Sequence, residues 1–219
     1  MENFLDILNQ EEGVNARFVG RVDGVEVDTD RLATVARLEP AHRAVVEEMG
    51  FSWDVCWRAE QVHGAEIAVV KSDGLSEAEV IDGVDGLITN EMSLVLGIYV
   101  ADCGAIYLLD KKTKALGLLH SGKKGTELGI LAKALEMMAE EYGTDAADVV
   151  VVLAPCIRPP AYEVDFASEI REQALNAGIS EENYVDCGVC TSCDLENFYS
   201  YRIEKGSTGR MLALLGRTS

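Results

Sequence analysis

Positive charge is scarce in this chain. Nineteen lysines and arginines face 38 aspartates and glutamates, a formal net charge of −19 over 219 residues. A polyanionic partner needs a basic face, so this balance argues against nucleic acid and against an anionic membrane. Long apolar runs are missing as well; the longest, such as Leu94 to Ala101, are far too short to span a bilayer. The opening MENFLDILNQEE lacks the cationic flank and cleavage site of an export signal, so the cytosol is the expected compartment. Six cysteines without such a signal read as reduced thiols or ligands. No Pro/Ser-rich linker, repeat or low-complexity stretch divides the sequence, and residues 1–219 are expected to form one domain. Histidine is rarest of the chemically useful residues: His42, His63 and His120 are all there are.

The remaining composition, 48% apolar and 26% charged, is that of an ordinary globular chain able to bury a core. Residues 1–15 read as a short helix or arm, and 16–28 as strand punctuated by Asp-Gly. EPAHRAVVEEMG (39–50) reads as a helix with Pro40 in its first turn and Gly50 as its stop, leaving His42 on the surface. Short β segments follow at 53–60, 65–71, 84–89, 94–101, 104–110 and 115–120, with DKKTK (110–114) as a hairpin turn. Leu128, Leu131, Leu135 and Met138 recur at helical spacing, which predicts one helix over 125–143. A buried strand at 148–156 and a helix at 164–178, N-capped by Asp165, come next. The end reads as a strand, a Gly-containing turn and a last apolar strand. Strands mixed with helices, without strict alternation, indicate an α+β fold: an α/β sandwich of mixed sheets flanked by helices.

Three places put a metal-competent or nucleophilic side chain at a β terminus: His63 in EQVHG, Asp102-Cys103 in YVADCGAIYLLD, and His120 in LGLLHSGKKG. His, Cys and His suit zinc, and three protein ligands with one open position form the catalytic pattern. If strands 94–101 and 115–120 share a sheet, Cys103 and His120 converge. SGKKG (121–125) is a second signal: Lys123 and Lys124 stand at the start of the expected helix, where free N–H groups and the dipole favour an anion such as phosphate. Asp102 is a candidate to orient a ligand or carry a proton, and Arg202 a candidate anion contact. CGVCTSC places Cys187, Cys190 and Cys193 at cluster-like spacing without a fourth cysteine after them, which favours reduced thiols.

Taken in order, EQVHG, VDGLITN, YVADCGAIYLLD, LGLLHSGKKG, APCI…YEVDF and CGVCT…FYSYR…TGRMLALL resemble the multicopper polyphenol oxidoreductase (laccase-like) family, also described as purine nucleoside phosphorylases. The resemblance runs from about residue 53 to the end. It implies a sandwich of mixed sheets and a metal site, zinc with copper as the other candidate ion, made by His63, Cys103 and His120. It further implies purine nucleoside and phosphate as substrates, with adenosine deamination and methylthioadenosine cleavage among relatives. GRVDGV (20–25) partly matches a phosphate- or substrate-binding stretch of the family, which makes Arg21 a candidate. The family's His-Ala-Gly-Trp-Arg-Gly is here His120-Ser-Gly-Lys-Lys-Gly125, so Lys124 keeps the charge of the Arg without its bidentate fork. Lys123 replaces the large apolar surface of the Trp. A blue-copper site with a trinuclear cluster consumes on the order of ten histidines; this chain has three, so oxidase chemistry here would have to be single-metal.

Other classes stay open on these residues. A cysteine-dependent amide hydrolase would use Cys103 as nucleophile with His63 or His120 as base. A single-metal polyphenol oxidoreductase and a non-catalytic, metal-stabilised binding protein are the remaining alternatives.

Overall fold

Alternating faces of long apolar strands settle the architecture. The computed structural model describes residues 3–71 and 80–218. A turn at Asn3–Leu5 and helix α1 (Asp6–Asn9) lead into β1 (Val14–Val19), α2 (Arg31–Glu48), β2 (Cys56–Ala59), β3 (Ile67–Val69) and β4 (Val80–Ile81). Then come β5 (Gly86–Thr89), β6 (Leu94–Val100), β7 (Gly104–Asp110), β8 (Leu116–Ser121), α3 (Lys123–Glu127) and α4 (Ile130–Tyr142). The chain finishes with β9 (Val149–Leu153), α5 (Phe166–Asn176), β10 (Tyr184–Asp186) and β11 (Met211–Arg217). One sheet has the order β1-β11-β6-β2-β4 and the other β10-β9-β7-β8-β5-β3; both mix parallel and antiparallel pairs.

The sheets pack face to face. Leu94, Leu96 and Ile98 of β6 point inward against Tyr107, Leu109, Leu116 and Leu118 of the other sheet. The alternate residues Val95 and Tyr99 point outward and are covered, with Leu212 and Leu214, by Val46 of α2. On the far side Ile106 and Leu108 meet Leu131 of α4 and Ile170 of α5. Four layers, helix–sheet–sheet–helix, therefore bury β6, β7 and β8 on both faces, and such strands read as continuous apolar runs rather than as alternation. Each fully buried Leu or Ile contributes about 1.5–3 kcal/mol. No helix among the described residues is long and apolar enough to cross a membrane.

The structure departs from the expected elements in instructive places. Helix α2 starts at Arg31, with Asp30 capping the Ala33 N–H, so Pro40 lies inside the helix rather than in its first turn. His42 is then on the covered face and fully buried, not on the surface. The helix expected over 125–143 is broken: Gly129 adopts φ +71°, separating the five-residue α3 from α4. The expected strand at 16–28 stops at Val19, and residues 198–206 form no strand, with turns at 201–206. β4 and β10 are too short, at two and three residues, to carry a pattern.

Candidate metal centre

Cys103 and His120 do converge, though not by the route expected. β6 and β8 lie in different sheets; it is β7, leaving the 101–103 turn, that pairs antiparallel with β8 and sets Ala105 opposite His120. Cys103 thus sits at one end of the β7–β8 ladder, beside the last residues of β8. The His63 turn follows β2 and is held from two sides. Gln61 accepts from the Tyr99 N–H at 2.9 Å and donates back to the Tyr99 carbonyl, extending the pairing of β2 with β6 through a side chain. Asp85, fully buried just before β5, accepts the backbone N–H groups of Val62, His63 and Gly64 at 3.2, 2.9 and 2.6 Å.

The same carboxylate reaches His120 Nδ1 at 2.8 Å, and the His120 N–H donates to the Asp85 carbonyl at 2.7 Å. One aspartate therefore fixes both histidines, the first through its backbone and the second through its ring. The ligand atoms of His63, Cys103 and His120 all lie within 4.8 Å of one another, and the two imidazoles meet edge to face at 4.9 Å. Among the described residues these three form the one group of at least three metal-competent side chains. A Cβ on Gly122 would stand 2.5 Å from Cys103 Sγ, so the thiol's place depends on that glycine. Gln61, His63 and Asp102 have φ of +67°, +59° and +81°, uncommon for non-glycine residues and concentrated here around one site.

Electrostatics support a charged centre. Burial pushes the Cys103 thiol up, but His120 and His63 outweigh it and bring its pKa to about 6. Burial pushes His120 down, whereas Cys103 and Asp85 outweigh that and raise it to about 9. Asp85 is raised by burial, yet its bonds to His120 and to the Gly64 and His63 N–H groups hold it below the usual carboxylate range. Thiolate and imidazole nitrogen are zinc's preferred donors, and a tetrahedral zinc keeps such ligands about 3.5 Å apart. A His ligand oriented by a carboxylate completes the pattern of metal-site support.

The trio opens on a cavity of about 690 Å³ whose walls include Tyr162, Phe166, Tyr201 and Ile157. Lys123 and Arg202 also line it, with side chains 3.9 Å from Glu127 and 2.8 Å from Glu163. Lys124 is exposed and does not line the cavity. The anion expected at the SGKKG turn loses much of its warrant, because α3 is one short turn with a small dipole. Arg21 lies elsewhere: it pairs with Glu204 at 2.8 Å, donates to the Phe198 carbonyl and covers the Tyr199 ring. Asp102 touches neither histidine. Its carboxylate accepts from Thr191 Oγ1, Ser200 Oγ and the Arg202 N–H at 2.7, 3.0 and 2.7 Å, tying the Cys103 turn to the 191–202 loop. The orienting task expected of Asp102 falls to Asp85, which the sequence placed within the expected β segment 84–89. Cys187, Cys190 and Cys193 are all free thiols, and the contribution of that run to the centre is Thr191.

Comparison with known proteins places the chain in a family. The profile of the family described as multi-copper polyphenol oxidoreductase laccase matches residues 9–172 and 165–218. The chain belongs to this family. A family relative named purine nucleoside phosphorylase YlmD, from Geobacillus stearothermophilus, is 31% identical over 229 residues, covering 89% of this chain and 82% of that one. The mouse protein named purine nucleoside phosphorylase LACC1 is 30% identical over 73% of this chain, which spans 43% of that longer relative. Among solved structures, YlmD of G. stearothermophilus superposes with a TM-score of 0.80 at 27% identity, over 94% of this chain and 93% of that one. The YfiH protein of Bacillus licheniformis gives 0.83 at 24% identity over 95% and 93%, a likeness of fold.

Proposed function

We propose that this chain is a zinc-dependent purine nucleoside phosphorylase, with adenosine deamination and methylthioadenosine cleavage as related activities of the same site. The observation that carries the reading is the convergence of His63, Cys103 and His120 on one cavity, in a chain whose relatives are named for that reaction. Bound zinc, or copper in its place, would supply Lewis-acid chemistry and a water of lowered pKa. The protein's own residues do the remainder. Tyr162, Phe166 and Tyr201 offer flat apolar surface for the base. Asp85 holds His120 in one tautomer, and Asp102 holds the 191–202 loop against the site. In phosphorolysis an oxygen of hydrogen phosphate bonds to the ribose anomeric carbon as the bond to the purine breaks. The purine leaves with that electron pair and receives the phosphate's proton. Cations on the cavity wall stabilise the anion.

A second reading has one specific support. Cys103, His120 and Asp85 form a thiol–imidazole–carboxylate series with a lowered thiol pKa, the layout of a cysteine hydrolase. Metal content separates the two. The protein should purify with about one zinc per chain, and iodoacetamide should label Cys103 quickly only after the metal is stripped. Equal labelling with and without zinc would sink the metal reading. Adenosine, inosine, guanosine and methylthioadenosine, incubated with and without phosphate and separated by chromatography, test the activity; no consumption of any of them refutes it.

A further inference from the structure

Two arginines on the cavity wall are unaccounted for by the centre itself. In a chain with twice as many acids as bases, cations at a site are expected to be neutralised; on this cavity wall Arg202 faces Glu163 at 2.8 Å and Lys123 faces Glu127 at 3.9 Å, whereas Arg31, Arg210 and Lys205 have no ion pair among the described residues. Arg31 and Arg210, which line the same cavity as the metal trio, have no carboxylate within 4.0 Å among the described residues. Both are half-buried and hydrogen-bonded to backbone carbonyls, and Arg210 also lies 5.9 Å from the centre of the Tyr201 ring. Arg31, first residue of α2, donates from Nη2 to the Glu60 carbonyl at 3.0 Å. Arg210, next to β11, donates from Nη1 to the carbonyls of Thr208 and Gly209 at 3.2 and 2.8 Å. A guanidinium has five N–H donors, so each keeps several for something else.

The pair is also close enough to repel. Burial pushes the Arg210 guanidinium below its ordinary pKa and the charge of Arg31 pushes the same way, outweighing the opposing pull of Tyr201, Cys103 and Asp102. Two like charges held toward one cavity by carbonyl anchors are unfavourable until an anion neutralises them. A tetrahedral oxyanion suits planar, forked donors best. Asp102, a carboxylate on the cavity wall, already accepts from three other donors.

We propose that Arg31 and Arg210 form the orthophosphate subsite of this cavity. The proposal rests on the phosphorolysis reading and moves its anion contact away from the SGKKG turn to the opposite end of the chain's motifs. It assigns Arg31 and Arg210 to the phosphate oxygens and leaves the aromatic wall to the nucleoside.

The test is calorimetric titration of inorganic orthophosphate into the full-length, zinc-loaded protein without nucleoside. Arg31→Gln and Arg210→Gln should each weaken phosphate binding by about tenfold, the loss of one charge-assisted contact. Arg31→Lys should recover part of it, since charge returns without the fork. Zinc content and the melting profile check that each variant is folded; should Arg210→Gln fail this check, Arg31→Gln carries the test. Where turnover is seen, KM for phosphate should rise in both variants while KM for the nucleoside stays. Unchanged phosphate affinity in Arg31→Gln, or no binding of orthophosphate by the parent protein at millimolar concentration, overturns the subsite. Phosphate binding that depends on the arginines without any nucleoside cleavage leaves the subsite standing and removes the phosphorolysis reading. Phosphate-dependent cleavage that ignores both arginines does the reverse.

Discussion

Asp85 concentrates more of the site's order than any ligand does. Its carboxylate holds three successive N–H groups of the His63 turn and the ring of His120. Asp85→Asn should keep the fold but weaken zinc retention by about 10–100-fold, measured by competition with a chromophoric chelator. Gly122→Ala should act more bluntly, since its Cβ would lie 2.5 Å from Cys103 Sγ; zinc binding should be lost while the core, distant from that turn, still melts cooperatively. His42 makes the third prediction at this scale. It is fully buried against Tyr99 with neither ring nitrogen hydrogen-bonded among the described residues, and burial, opposed by Glu39, lowers its pKa from 6.5 to about 4. The folded state thus excludes a proton that the unfolded chain binds. Stability from this group is full above pH 6.5 and falls as the pH drops toward 4, by about 2 kcal/mol between neutral pH and pH 5. His42→Phe should flatten that part of the profile in urea titrations; an unaltered slope would remove His42 as its cause. His63, Cys103 and His120 were legible in the sequence because few residue types do their chemistry. Asp85 was not, since an Asp before a Gly is commonplace and only the β5–β8 pairing brings it to His120.

Elements were legible where packing agrees with local preference and obscure where it overrides it. Helix α5 and the strands β6 to β9 lie close to their expected positions because long apolar runs and Asp165 leave few alternatives. The 125–143 segment has helical periodicity on both sides of Gly129, so nothing in the pattern marks the break. Gly129→Ala distinguishes the two descriptions. In a continuous helix it would stabilise by about 1 kcal/mol, whereas at φ +71° it should destabilise by about that amount, read from denaturant midpoints. The early start of α2 escaped notice for the opposite reason: its first turns are held by the Asp30 cap and by tertiary contacts, not by a clean amphipathic stripe.

At the scale of the molecule, the site lies where the two sheets hand over to each other. The chain leaves β6 in one sheet and enters β7 in the other through Ala101–Cys103, and His63 arrives from a loop following β2. A metal held by these three segments binds the folded state and not the unfolded chain, so it should raise thermal stability by mass action. Stripping zinc with a chelator should lower the melting temperature by several degrees, and Cys103→Ser should melt like the stripped protein whether or not zinc is added. Sheet membership was the least legible property of all. Continuous apolar strands carry no sign of which neighbour they choose, and the decisive pairs here, β1 with β11 and β2 with β6, join segments far apart in sequence.

The place of β11 bears on how the protein comes into being during synthesis. Every strand of the β10-β9-β7-β8-β5-β3 sheet is made by residue 186, but β11 sits between β1 and β6 in the other sheet and spans 211–217. β6 therefore leaves the ribosome with one edge unmatched, and at ordinary elongation rates it waits on the order of ten seconds for its partner. The backbone N–H and C=O groups of Leu94–Val100 on that edge are open to a wrong strand for the interval. The nascent chain should accordingly need a holding chaperone late rather than early, with the metal centre's own sheet already in place.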